Sequence, residues 1–338
     1  MIKTTHVGSL PRGPELAPIL LARDKGEAYD AAEFDRVVQA AVDEAVRRQV
    51  DAGVSIVSDG ELGKVGYSTY VIERLSGFGG HTPRKPAQDL AQVPELAKKL
   101  GHIMGAQEFT RASAIAKVEL VNLQPLHDDI RRFRRALETH GNGVAAFMNS
   151  ASPGLITAFQ PNQFYPRHEA YLADLTVPQF RAMVERHVEV VNEATKNIPG
   201  EQMRLHLCWG NYEGPHDFDI PLETIIEVVL SARPATILFE AANPRHEHEW
   251  VVWKGADTSG KVLAPGLIDS CSNYLETSEL IAQRIERFAA FVGKDRVVAS
   301  SDCGFGTFAG YGKIDPAVAW KKLAALRDGA NIAERRMG

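Results

Sequence analysis

Arg204-Leu205-His206-Leu207-Cys208-Trp209-Gly210-Asn211 alternates polar and apolar side chains, then breaks into a turn that contains glycine. A period of two is the mark of a strand, in which residues i and i+2 share a face. His206 and Cys208 therefore aim at one point at the carboxyl end of that strand. The same design recurs on either side of it. Apolar runs end in polar, often glycine-bearing turns around residues 6, 57, 147, 239, 267 and 300. Amphipathic helices are expected between them at 33–52, 127–139, 177–197, 221–231, 277–292 and 315–328. In the first, Phe34, Val37, Val38, Ala41, Val42, Ala45 and Val46 form one face.

Repeated strand–helix units predict a mostly parallel sheet. Polar residues gather just after the strands: Ser9, Asp59, Glu61, Asn149, Cys208, Glu240, Asp269 and Cys303. Chemistry at the carboxyl ends of many strands is the arrangement of a TIM (β/α)8 barrel. A doubly wound open sheet is the runner-up, but no Gly-x-Gly-x-x-Gly opens an early helix. The pattern yields seven barrel strands rather than eight. Between Asn149 and His206 it offers helix and loop, so one βα unit is unaccounted for near residues 165–185. The expectation is an α/β chain, 1–338, folded as a single barrel domain, with an excursion around 67–121.

Composition narrows the function classes. The 338 residues are 44% hydrophobic and 24% charged, with a formal charge of −5 and a pI near 6.1. That balance suits neither nucleic acid nor an anionic membrane. No apolar run approaches the roughly 20 residues of a spanning helix. The first residues lack the apolar core of a signal peptide. Three cysteines, an odd number, make no disulfide framework. A reducing cytoplasm is the expected compartment, where thiolates remain available to a metal.

Cys303 ends a second strand, in Ser300-Ser301-Asp302-Cys303-Gly304, and Glu240 ends a third, in Leu238-Phe239-Glu240. A buried Glu needs a partner, and a metal would supply one. His206, Cys208, Glu240 and Cys303 make an N/O/S₂ set suited to Zn²⁺, with Glu240 the readiest ligand to leave. Cys271 reads first as a small core residue. The segment Asn243-Pro244-Arg245-His246-Glu247-His248-Glu249 reads as a charged rim from which Arg245 and His246 could touch an anionic substrate. His6 could face the pocket or be a hydrogen-bonded structural residue. Trp209 could stack on a flat donor or simply pack. The Phe305–Gly312 loop could close over the substrate or pack on the rim.

These residues carry a resemblance. His6-Val7-Gly8-Ser9-Leu10-Pro11-Arg12, Ser58-Asp59-Gly60-Glu61, the His206-x-Cys208 segment, Phe239-Glu240 and Asp302-Cys303-Gly304, taken as a set, resemble the cobalamin-independent methionine synthase family. The likeness is to its catalytic zinc barrel and short one-domain homologues. It implies Zn²⁺ held by His206, Cys208, Glu240 and Cys303, and a thiol bound to that zinc. It also implies that Ser9 and Glu61 meet the polar head of an amino-acid thiol such as homocysteine, with Asp59 and Asn149 beside them. A free thiol is mostly protonated at neutral pH, and zinc shifts it to thiolate that still attacks an electrophilic carbon.

The chain departs from the family in three ways. It begins directly at the barrel, without the amino-terminal half of the larger members. It lacks the Gln-Ile-Asp-containing strand expected between residues 150 and 205. Ile268-Asp269-Ser270-Cys271 puts Cys271 near the place of the family's proton-shuttling His, so Asp269 and Cys271 are the catalytic candidates. The expected function is zinc-dependent alkyl transfer, methyl above all, from a donor such as a methylated folate to a small-molecule thiol. The alternatives are an epoxide-opening thiol transferase of the epoxyalkane:coenzyme M type and a non-catalytic zinc or thiol-binding protein. Barrels of this kind often pair, which makes a homodimer the candidate assembly.

Overall fold

The computed structural model describes residues 1–82, 87–103, 111–166, 176–310 and 313–338. Five parallel strands form one sheet in the order β1-β9-β8-β7-β6: β1 (Lys3–Thr4), β6 (Arg204–Leu207), β7 (Thr236–Phe239), β8 (Val262–Ile268) and β9 (Val298–Ser301). Two more, β2 (Ile56–Ser58) and β5 (Ala145–Phe147), pair in parallel. The two groups meet where Ser55 N donates to Thr4 O at 3.2 Å and Thr5 Oγ1 to Ile56 O at 3.0 Å. β1 is much shorter than the expected run over 2–8. Side chains replace its ladder, since Thr4 N donates to Ser55 Oγ and Val7 N to Ser301 Oγ.

Alternation along these strands sorts two cores. Val7, Leu238, Ala264 and Val298 pack together with Ile56 and Val262 between the strands. The opposite parity, Ile237, Phe239, Leu263 and Leu267, packs outward onto helices in the main core. The helix layer includes α2 (Ala31–Asp51), α10 (Ser278–Val292) and α11 (Pro316–Met337). Asp30 caps α2 by accepting from Ala32 N and Glu33 N, and the expected apolar face is buried but for a half-buried Ala41. α11 runs nine residues beyond its expected end, straight through Gly329. A Cβ there would lie 2.5 Å from Ile281 Cγ2 on α10, so glycine permits close helix contact instead of ending the helix. The helix expected at 221–231 is a 3₁₀ turn, 222–224, followed by the short α8 (Ile226–Leu230).

Among the described residues no strand pairs with the outer edge of β5 or of β6. β8 is buried along nearly its whole length, whereas Ala145 and Ala146 of β5 are exposed and β6 is half-buried throughout. Of the region where a βα unit is unaccounted for, 167–175 lies outside the described residues. The rest from Val177 onward is α7 (Val177–Ala194). Arg204 reaches across this side. Its guanidinium lies 3.2 Å from the centroid of the Phe147 ring and donates to Thr5 Oγ1 and His6 O. Burial lowers its pKa to about 9.

The excursion carries a small antiparallel pair, β3 (Phe78–Gly79) with β4 (Ser113–Ala114), and the helices α3 (Gln88–Gln92) and α4 (Pro94–Ile103). No helix among the described residues is long and apolar enough to cross a membrane.

Candidate metal centre

The strand parity that buries Leu205 and Leu207 outward turns Arg204, His206 and Cys208 inward. The ligand atoms of His206, Cys208 and Cys303 lie within 4.8 Å of one another. The two Sγ atoms are 3.9 Å apart. That is far beyond the 2.05 Å or so of a disulfide. It matches the spacing of about 3.8 Å that two 2.3 Å Zn–S bonds at the tetrahedral angle require. Both nitrogens of the His206 ring are buried and, among the described residues, make no hydrogen bond of normal geometry. A polar ring left unpaired beside two sulfurs is what a metal ligand looks like when its partner is a cation. The donor set therefore fits zinc.

Protons distribute unevenly here. The hydrogen bond from the Cys208 thiol holds Cys303 down at about 5, and the same bond, with burial, pushes Cys208 well up. Burial alone would lower the pKa of His206, but Cys303 and Glu240 outweigh it and raise it.

Glu240 follows Leu238 in parity and is buried beside the sulfurs, close enough for its charge to act on both. Its carboxylate is fully engaged. Oε1 accepts from Trp209 N at 3.1 Å; Oε2 accepts from Asn243 Nδ2 at 2.7 Å and Arg245 Nη2 at 2.8 Å. The structure thus gathers three of the four expected ligands as one cluster, with the fourth held next to it by Arg245. Asp302, just before Cys303, fastens the arrangement. It accepts from the amides of Ala241, Ala242 and Asn243 and from Asn243 Nδ2. Burial and the charge of Glu240 nevertheless push it up to about 7.

Asn211, after β6, joins the other loops. Its Nδ2 donates to Gly304 O at 2.8 Å, and its Oδ1 accepts from Ser270 Oγ and from Cys271 Sγ, each at 3.0 Å. Burial holds the Cys271 thiol protonated, with a pKa pushed up to about 12. Asp269 Oδ1 accepts from Cys271 N at 2.9 Å, which fixes the turn.

The remaining expected residues lie at the ends of β1, β2 and β5. Ser9 is against Gly304, where a Cβ would come within 1.9 Å of Ser9 Oγ, and Phe305 N donates to Ser9 O at 2.8 Å. Asn149 Nδ2 donates to Val7 O at 2.9 Å and to Glu61 Oε1. Glu61 Oε2 is buried and, among the described residues, has no hydrogen-bond partner. Asp59 Oδ1 accepts from Glu61 N at 3.1 Å, shaping a turn in which Glu61 has a φ of 56°. Lys64, buried beside them, donates to Asn149 O at 2.9 Å.

His6 is a structural residue: Nε2 pairs with Gln49 Oε1 at 2.8 Å, and burial lowers its pKa to about 4. Trp209 stacks on His246 at 4.2 Å. His246 bridges Asp219 and Glu249; burial opposes its charge, but those hydrogen bonds prevail and raise its pKa to about 9. Phe305, Phe308 and Ala309 are buried, so the loop after β9 packs on the rim over its described part. The roles of Asn211, Asn243 and Asp302 escaped the sequence reading. The one signal was that each stands within three residues of an expected ligand.

No family profile matches the chain. It is 22% identical to a methionine synthase of Pyrococcus furiosus, over 96% of this chain and 91% of that protein. It is 21% identical to one of Thermococcus kodakarensis, over 100% and 95%. The latter alignment runs over 361 positions against 338 residues here, so that relative carries residues this chain lacks. Among solved structures, a B12-independent methionine synthase from Shewanella sp. W3-18-1 in complex with selenomethionine superposes with a TM-score of 0.71 at 17% identity, covering 100% of this chain and 99% of that one. End to end, the chain thus resembles the cobalamin-independent methionine synthase family, and it gathers His206, Cys208 and Cys303 at its strand ends.

Proposed function

We propose that the protein is a zinc-dependent transferase that alkylates, and specifically methylates, a small thiol of the homocysteine type. The observation that carries this is the convergence of His206, Cys208 and Cys303, with an unpaired imidazole and sulfurs at tetrahedral spacing. Those three residues would hold the zinc, and Glu240 stands ready as an exchangeable fourth ligand. When bound, Zn²⁺ supplies a Lewis-acidic centre that keeps a coordinated thiol deprotonated at neutral pH.

The chain's own residues do the rest. Cys208 and Cys303, as thiolates, bring enough negative charge to leave the incoming sulfur nucleophilic. Arg245 and Asn243 hold the Glu240 carboxylate beside the sulfurs, so its displacement leaves no unpaired buried charge. Glu61 Oε2, buried and free, suits the ammonium of an amino-acid thiol, and Asn149 fixes the other oxygen. Ser9 is placed by its packing on Gly304, one residue from Cys303.

One observation favours a second donor. At the end of β8 the candidate proton donor is the Cys271 thiol, which burial pushes up to about 12. That is a weak acid for protonating a departing folate nitrogen. It is adequate for the alkoxide of an opened epoxide, a base close in strength to hydroxide.

The deciding experiment offers homocysteine and 2-mercaptoethanesulfonate, each with methyltetrahydrofolate and with an epoxide. Methyl transfer to homocysteine, lost in Cys208→Ser, is the expected result. Turnover with the epoxide alone would move the protein to the second reading. Thiol binding without turnover on any pair would make it a binding protein.

A further inference from the structure

Lys313 Nζ is buried and, among the described residues, has no hydrogen-bond partner. Its position is firmly set. Asn273 Nδ2 donates to Lys313 O at 3.0 Å, and Asn273 Oδ1 accepts from Asp315 N at 2.9 Å. This clamp ties the segment after β9 to the loop that carries Asp269 and Cys271. The ammonium has Cys271, Glu213, Asp269 and Arg245 as electrostatic neighbours. No carboxylate among the described residues lies within ion-pair distance of it, and Asp269 Oδ1 is occupied by the amide of Cys271. Burial lowers its pKa, opposed by Cys271 and Glu213.

A buried ammonium without a partner is costly, and a fold keeps one where a ligand completes it. The ligand's place follows from the neighbours. Cys271 Sγ reaches Asn211 Oδ1, and Asn211 Nδ2 reaches Gly304 O, the residue after Cys303. Arg245 shares Cys271 with Lys313 and also acts on Cys208. Lys313 and Arg245 thus both bear on the Cys271 loop, which Asn211 ties to the residue after Cys303. Arg245 is committed to Glu240 and Lys313 is uncommitted.

We propose that Lys313 forms an anion subsite of the sulfur centre that takes the carboxylate or sulfonate of the thiol substrate. This rests on the thiol-binding reading above and adds a requirement to it: the substrate thiol is an acid. It assigns to Lys313 a specificity-determining role at the end of the substrate away from sulfur.

The test is binding to the cobalt-substituted protein, read by the sulfur-to-cobalt charge-transfer absorption. Three thiols of similar size are titrated: 2-mercaptoethanol, 3-mercaptopropionate and 2-mercaptoethanesulfonate. Lys313→Gln is expected to weaken the two acidic thiols about 10-fold or more, the usual value of a hydrogen bond to a charged group. It should leave 2-mercaptoethanol unchanged, and Lys313→Arg should restore much of the loss. Equal dissociation constants in wild type and Lys313→Gln would overturn the proposal, as would equal weakening of all three thiols. Wild-type protein that gives no band with any thiol would overturn the thiol-binding reading itself, a distinct outcome.

Discussion

Arg245 Nη2 holds Glu240 Oε2 at 2.8 Å while Glu240 lies next to the Cys208–Cys303 sulfur pair. The carboxylate is thereby held in place beside the sulfurs by a cation. Its partner is nearly buried too, with 17% of the Arg245 side chain exposed against 2% for Glu240.

Removing that cation should therefore expose the cost of a lone buried charge. Arg245→Ala is expected to lower stability by about 3–5 kcal/mol, measured by urea denaturation of the metal-free protein. Glu240→Gln in the same background should recover most of the loss, because no charge then remains to be compensated. Arg245→Ala as stable as the wild type would contradict the pairing.

The sulfur ligands should fail individually. Cys208→Ser and Cys303→Ser are each expected to weaken zinc by two or more orders of magnitude, since a structural zinc's binding energy of about 10–16 kcal/mol is shared among its few ligands. Competition with a chromophoric chelator reads this directly. Cys271→Ser should leave zinc affinity unchanged, because its thiol is bonded to Asn211 and lies outside the cluster.

His246 should make stability depend on pH. Its folded pKa of about 9 lies above the ordinary imidazole value of about 6.5. Its stabilising effect is therefore complete below about pH 6.5 and is lost as pH rises through about 9. The span corresponds to about 3.4 kcal/mol at most. Asp219 and Glu249 are the charges that hold it, and Trp209 covers its face. His246→Gln should flatten the fall in stability between pH 6.5 and 9, as followed by thermal melting.

Gly266 is irreplaceable for a steric reason. The β8–β9 register shifts between Gly266 and Ile268, and a Cβ on Gly266 would lie 2.0 Å from Asp302 Oδ1 and 2.5 Å from Asp302 Cα. Gly266→Ala must displace backbone, at a cost of about 1–3 kcal/mol. It should also weaken zinc, because Asp302 precedes Cys303. Unaltered zinc affinity and stability would mean that the β8–β9 junction does not position the cluster.

Much of the site was legible in the sequence because strand parity is a local property. His206 and Cys208 share a face for that reason, and Glu240 shares one with Leu238. Cys303 was legible as the polar end of an apolar run. What alternation cannot express is which loop atoms close around those ends. The engagement of Glu240 by Arg245 and Asn243 depends on the turn after β7. The bracing by Asn211 and Asp302 depends on contacts between loops about 60 to 90 residues apart in the chain. The same limit shows in the helices: α11 passes through Gly329 because of a neighbour, Ile281, that the local sequence does not reveal. The shortfall of strands between Asn149 and Arg204 was also visible in the pattern. It coincides with the two strand edges, of β5 and β6, with which no described strand pairs.

Zinc K-edge X-ray absorption of the zinc-loaded protein, with and without homocysteine, tests the central claim most directly. The account predicts two sulfur ligands and one imidazole in the resting protein, and a third sulfur when homocysteine is added. A protein that retains no zinc, or whose sulfur count stays at two with saturating homocysteine, would contradict it.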